Sequence, residues 1–252
     1  MLTNRLQKTM FSWLRPSCQL CGLPLESHST QSLCGSCLDW YAPTTRCARC
    51  GLPCETATEQ CGQCLTSPPP WHKLYCLGDY RFPLNQSVHQ LKYQRQFWQA
   101  RPLAGLLAPR IVSPAPLVTC VPLHWRRHAW RGFNQSDVLA RQLAQQLGSQ
   151  YQPRLFSRRL ATPPQQGLNK AQRRRNLNQA FVLNSAPSHR HIAIVDDVVT
   201  TGSTVRQLCN LLLDVASKAL IFTAYAVLLN RVTDPSVKMR SQKRAGSSAR
   251  QE

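Results

Sequence analysis

The stretch 192-IAIVDDVVTTGST-204 carries four apolar residues straight into two adjacent carboxylates, Asp196 and Asp197, and then into a turn of threonine, glycine and serine. With eleven acids against thirty-one lysines and arginines in the chain, two acids side by side at the end of an apolar strand need a reason. In open α/β sheets ligands bind outside the carboxyl ends of the strands, where a loop leads into the next helix. Thr200, Thr201, Gly202, Ser203 and Thr204 form such a loop. A helix start offers free N–H groups and the positive end of its dipole to a phosphate, four hydroxyls add donors, and Gly202 lets the backbone come close. An anion site with two acceptors just upstream suits a ligand with a phosphate at one end and vicinal hydroxyls beside it. A sugar phosphate has that arrangement.

Outward from this stretch, strands and helices alternate. Residues 74–82 are strand-like. Residues 85–98 open on a capping Asn85 or Ser87 and place Val88, Leu91 and Phe97 at helical spacing, and a second helix spans about 100–112. The segment 117-LVTCVPLH-124 is a short buried strand stopped by Pro122, which cannot donate to a ladder. In 134–148, Ser136 is placed to cap a helix whose Val138, Leu139, Leu143 and Leu147 share one face, and Gly148 ends it. A strand at 190–195, a helix at 204–217 and a strand at 219–229 follow. This alternation predicts an α/β domain, a mostly parallel sheet covered by helices on both faces. Beyond Arg231 the composition is basic and uncored, that of a disordered tail.

Before residue 66 the chemistry differs. Nine of the twelve cysteines fall between residues 18 and 64. Eight form four C-x-x-C pairs, Cys18/Cys21, Cys34/Cys37, Cys47/Cys50 and Cys61/Cys64, and glycine follows Cys21 and Cys50 as in a zinc knuckle. Two pairs complete one tetrahedral zinc site. The spacing suits two consecutive sites and also permits a cross-braced arrangement of Cys18/Cys21 with Cys47/Cys50. Disulfides are disfavoured without an export signal, and four pairs exceed what a redox site uses. The other four cysteines are small buried hydrophobes. The expected organisation is an N-terminal segment (1–17), a Cys-rich zinc domain (18–65) folded largely by its metal, a stiff Pro-rich connector (66–73), the α/β domain (74–230) and the tail (231–252).

The formal net charge is +20. From Tyr80 through Val195 there are seventeen Lys/Arg and one acid, Asp137, so 17 − 1 = +16. Such a field attracts nucleic acid or phosphate-rich ligands; solubility alone does not require depleting the acids. Aromatics interleave with arginines in 124-HWRRHAWRGF-133, as in sequence-tolerant single-strand binding, although Trp125, Trp130 and Phe133 also suit packing. The longest apolar run, 219–229, is half of what a bilayer demands. The N-terminus has neither an apolar h-region nor a cleavage site, so a cytoplasmic location is expected.

The residues of the opening stretch resemble the 5-phosphoribosyl-1-pyrophosphate (PRPP) motif of type I phosphoribosyltransferases. Together with the four C-x-x-C pairs, 122-PLHWRRHAWRGFNQS-136 and 162-TPPQQGLNKAQRRRNLNQAF-181, they look like the ComF/GntX family, from about Cys18 to Asn230. The resemblance implies a type I phosphoribosyltransferase-like sheet behind a zinc-ribbon-like domain, and a role in the uptake or use of external DNA. It implies that Asp196 and Asp197 hold the ribose 2′- and 3′-hydroxyls and that Thr200 to Thr204 bind the 5′-phosphate. His124, Arg126 and Arg127 lie where the pyrophosphate binds, helped by Mg²⁺, and Gln166 to Asn176, with Lys170, Arg173 and Arg174, resembles a hood that closes over substrate or else is an exposed basic helix face. Single-stranded DNA and components of the uptake machinery are the partners implied. No acceptor pocket is legible, and a non-catalytic nucleotide- or DNA-binding protein on the same scaffold is the competing reading.

Overall fold

In the computed structural model, which describes residues 17–26, 32–159, 180–215 and 220–229, Ile192, Ala193, Ile194 and Val195 are buried without alternation. That pattern is what a parallel strand covered on both faces requires. The strands of the main sheet are β1 (Lys73–Asp79), β2 (Leu117–Cys120), β3 (Gln150–Tyr151), β6 (His191–Val199) and β7 (Ile221–Leu229). They run parallel in the order β1-β7-β6-β2-β3. Between β3 and β6 the chain forms a separate antiparallel ribbon of β4 (Phe156–Arg158) and β5 (Phe181–Leu183).

The two faces have different cores. One carries α3 (Leu84–Tyr93), α4 (Ala100–Leu107) and α6 (Gln135–Leu147), whose Leu91, Leu107, Leu139 and Leu143 pack on Val118, Ala193 and Val195. The other carries α7 (Ser203–Val215), whose Val205, Leu208 and Leu212 pack with Ile192, Ile194, Phe222 and Trp71. The α/β layering therefore follows the expectation. Within the cysteine region lie two short helices, α1 (Gly35–Leu38) and α2 (Gly62–Thr66).

Several local expectations change. Helix α3 begins at Leu84 after Pro83, with no side-chain cap, rather than on Asn85 or Ser87. It ends at Tyr93 because Arg95 takes a left-handed conformation (φ 55°), so Phe97 leaves the helical stripe for a separate turn and is exposed. Strand β2 stops at Cys120, with Val121 still donating to Val195 O at 2.9 Å, as Pro122 demands. The cap of α6 is Asn134, not Ser136: its Oδ1 accepts from Ser136 N at 3.1 Å while its Nδ2 donates to Val121 O at 3.0 Å. Gly148 ends that helix at φ 65°. Strand β6 runs four residues past its expected end and includes both acids. Helix α5 (Trp125–Arg131) buries none of its residues, so no apolar periodicity announced it.

The prolines at 68–70 are not a free spacer. Pro69 O accepts from Arg49 Nη2 at 3.0 Å, Trp71 is fully buried, and His72 N donates to Phe222 O at 2.8 Å. Residues 1–16, the Gln166–Asn176 segment with Lys170, Arg173 and Arg174, and the chain beyond Leu229 lie outside the described residues.

Candidate functional site

Strand order places the site. From β2 the chain passes to β3 on one side, and from β6 through α7 to β7 on the other. The carboxyl ends of β2 and β6 thus flank a topological switch point, the crevice where open α/β sheets take ligands. Because β2 ends opposite Val195, Asp196 and Asp197 stand just past it.

The two acids differ. Asp196 is half-buried, and its Oδ1 accepts from Ser136 Oγ at 3.2 Å and from Asp197 N at 2.9 Å. Asp197 is buried. Its Oδ1 accepts from Val198 N at 2.9 Å and its Oδ2 meets Lys92 Nζ at 2.6 Å. Sequence reasoning missed Lys92 and gave Ser136 the wrong role; each reaches the acids from a different helix.

Burial lifts the Asp196 carboxyl to about 6, against the pull of Lys92, Ser136 and Arg158. The basic surroundings therefore do not keep this carboxyl at its ordinary value, because loss of water outweighs them. Burial also lowers the Lys92 ammonium to about 8, helped by Arg131 and Arg127 and opposed by Asp196. One consequence concerns stability. Between 3.8 and about 6 the folded chain holds a proton at Asp196 that the unfolded chain has released, so ionisation there costs stability as pH rises. Asp196→Asn keeps the acceptor for Ser136. It is expected to melt above the wild type at neutral pH, by roughly 2 kcal/mol at most after solvent screening, with the difference vanishing near pH 4. Thermal denaturation of both proteins across that range checks it.

Beyond the acids, Thr200, Thr201 and Ser203 are exposed, Thr204 is half-buried and Gly202 is buried. Thr201 Oγ1 accepts from Ser203 N at 3.3 Å, and Gly202 has φ 71°. Across the crevice His124 is buried and caps α5, its Nδ1 accepting from Arg126 N at 3.2 Å. Burial lowers its pKa, as do Arg158, Arg126 and Arg127, which favours the neutral ring. Arg126 and Arg127 are exposed, with the Arg126 guanidinium 5.3 Å from the Trp125 ring centre. Trp125 and Trp130 are 62% and 68% exposed, whereas Phe133 packs on the core. Between α5 and the β4–β5 ribbon lies an open cleft of about 660 Å³ lined by Trp125, His128, Arg154, Phe156 and Arg158 among others.

The cysteines form two consecutive tetrads rather than a cross-brace. Cys18, Cys21, Cys34 and Cys37 lie with their sulfurs within 4.8 Å of one another, as do Cys47, Cys50, Cys61 and Cys64. Backbone N–H groups point at the sulfurs, Cys34 N to Cys18 Sγ at 3.4 Å and Cys61 N to Cys47 Sγ at 3.2 Å. Burial alone would raise Cys18 and Cys47, but such N–H groups outweigh it and bring them down to about 6 and about 7. Donor set and spacing fit zinc, so the two tetrads can hold two ions. The first tetrad shares the main core through Leu25, Leu33 and Tyr41, more apolar support than a domain folded largely by its metal implied; the second has only its own small cluster.

No helix among the described residues is long and apolar enough to cross a membrane. No family model matches the chain. It is 42% identical over 205 residues to the DNA utilization protein YhgH of Salmonella typhi, covering 78% of this chain and 90% of that one. The protein of the same name from Escherichia coli K12 is 40% identical over 206 residues, with the same coverage. Competence protein F of Haemophilus influenzae is 35% identical over 193 residues, 71% of this chain and 83% of its own. Among solved structures, similarity extends to an orotate phosphoribosyltransferase from Aeropyrum pernix (15% identity, TM-score 0.32, 62% of this chain and 81% of that one) and a hypoxanthine phosphoribosyltransferase from Staphylococcus aureus (14%, 0.32, 54% and 65%).

Proposed function

This chain belongs to the family of the DNA utilization and competence F proteins, and from that membership we propose that it binds a phosphoribosyl ligand of the PRPP type while handling external DNA or its nucleotides. The single observation that carries the reading is the meeting at the switch point of an acidic pair, a small-residue loop at a helix start, and the cationic first turn of α5.

In this reading Asp196 receives a ribose hydroxyl, Asp197 supports it through the shared backbone, and Thr200 to Thr204 take the 5′-phosphate at the start of α7. Arg126 and Arg127 meet the pyrophosphate, with His124 offering Nε2 as a neutral donor. Asp196 would hold Mg²⁺, which needs few protein ligands when phosphates supply the rest, and the ion would supply charge neutralisation for the pyrophosphate. The chain's own part is to position the ribose and exclude water, since departure of pyrophosphate needs no protein nucleophile. The cleft beside α5 has the size of a small-ligand site and the stacking and cationic groups that suit a nucleobase or a nucleotide.

A second reading has its own observation, the exposure of Trp125 and Trp130 among arginines. It makes the protein a single-stranded DNA binder in which the PRPP site is regulatory. One experiment separates the two. PRPP with Mg²⁺ is expected to raise the melting temperature of the wild type by several degrees and to leave Asp196→Asn unmoved. Equal stabilisation of both proteins would sink the site. An oligonucleotide that binds Trp125→Ala as well as it binds wild type, with no loss of affinity as salt rises, counts against the second reading.

A further inference from the structure

One side chain joins the second cysteine tetrad to the small-residue loop. Trp71 is 1% exposed, and its indole N–H donates to Arg49 O at 2.8 Å. Arg49 lies within 47-CARC-50, the first knuckle of that tetrad. The knuckle is tied to the same segment twice more, by Arg49 Nη2 to Pro69 O at 3.0 Å and by Leu74 N to Ala48 O at 2.9 Å. The far edge of the indole lies under the loop. A Cβ on Gly202 would sit 2.5 Å from Trp71 Cη2, closer than atoms approach, and a tight 3.2 Å from Cζ2. Val205 and Leu208 of α7 share a core with Trp71, and the Arg206 guanidinium lies 5.9 Å from its ring centre.

Gly202 was expected to let a ligand near the backbone. Its missing side chain also admits the indole from the other side. A loop whose hydroxyls must converge on one phosphate needs a fixed backbone, and small-residue loops have none of their own. The indole is a rigid plate, and both of its ends are held: one by a knuckle carbonyl, the other against the glycine.

We propose that Trp71 is a positioning residue for the Thr200–Thr204 loop, and that the metal of the Cys47–Cys50–Cys61–Cys64 tetrad sets the loop's phosphate affinity through it. The inference rests on the reading that this loop binds the 5′-phosphate. The zinc site is then more than a fold staple: order at residues 47–50 is passed through one hydrogen bond and one ring contact to the ligand loop.

The test is calorimetric titration of PRPP with Mg²⁺ into full-length wild type, Trp71→Phe, Cys61→Ser and the double variant, with zinc content and melting temperature measured on each. Trp71→Phe loses the N–H and the outer ring edge. It is expected to keep both zinc equivalents and to bind PRPP roughly 10- to 100-fold more weakly, the usual cost of removing an outer-shell support. Cys61→Ser is expected to weaken binding similarly in the wild-type background and to add little once Trp71 is replaced, because the two act in series. Gly202→Ala, a second probe should Trp71→Phe fold poorly, is expected to weaken binding strongly, and less so when combined with Trp71→Phe, which makes room. Wild-type binding matched by Trp71→Phe overturns the inference, as does an equal loss from Cys61→Ser with and without Trp71. A wild type that binds no PRPP sinks the loop reading itself.

Discussion

Cys50→Ser is expected to leave one zinc equivalent on the protein and to make residues 51–60 the first site of proteolysis, whereas Cys21→Ser also leaves one equivalent but keeps its module in place. The asymmetry follows from what each tetrad packs against. Around the second, the buried cluster is Cys47, Cys50 and Cys64 themselves, edged by Leu52, Cys54 and Cys61. Among the described residues there is no larger apolar core to hold that fold once the ion is gone, and a structural zinc contributes on the order of 10 kcal/mol to such a module. Around the first, Leu25, Leu33 and Tyr41 are part of the main core beside Leu84 and Leu103, and Arg110 donates to Tyr41 O. Access runs the other way, because Cys21 is exposed while Cys47, Cys50 and Cys64 are buried. A chelator is therefore expected to strip the first site faster and to disorder the second more. Metal analysis during chelation, with limited proteolysis of the same samples, measures both; loss of order in equal measure at the two sites would contradict the packing argument.

What could be read in advance divides by distance along the chain. The acid pair, the loop and the helix start are contiguous, so residue types and order alone were enough to place them at a strand end. The eight candidate metal ligands were marked by short spacing, yet their grouping into tetrads needed the fold, because consecutive and cross-braced pairings use the same pairs. Lys92 and Ser136 were invisible for a different reason. They lie 105 and 60 residues from the acids they touch, and nothing local marks them. Ser136 has the chemistry of a cap, and only the nearer Asn134, held by Val121 O as well, frees it to bond Asp196. Helix α5 escaped because WRRHAWR buries none of its residues. Exposure of Trp125 and Trp130 was likewise undecidable, since tryptophan serves core and stacking surface alike.

Lys92→Met is expected to lower the melting temperature by on the order of 10 °C, and adding Asp197→Asn to recover most of that. The side chains are 19% and 6% exposed at 2.6 Å, so deleting the amine leaves a buried carboxylate without its counter-charge. Breaking one half of such a pair costs roughly 3–5 kcal/mol, while two neutral partners of similar shape cost far less. The pH dependence carries a sign. With the Lys92 value brought down to about 8 by burial, Arg131 and Arg127, the unfolded chain binds more protons than the folded one between about 8 and 10.5. Wild-type stability should therefore rise across that window, and the Lys92→Met protein should lack the rise. Anion binding at Arg127 removes one of the charges that depress Lys92 and should draw its proton back. PRPP binding to the wild type is then expected to take up protons near pH 8, detectable as a buffer-dependent enthalpy, and the stable double variant to bind without that uptake. A single variant as stable as wild type would show that Asp197 does not depend on Lys92 and that the pair is not part of the site.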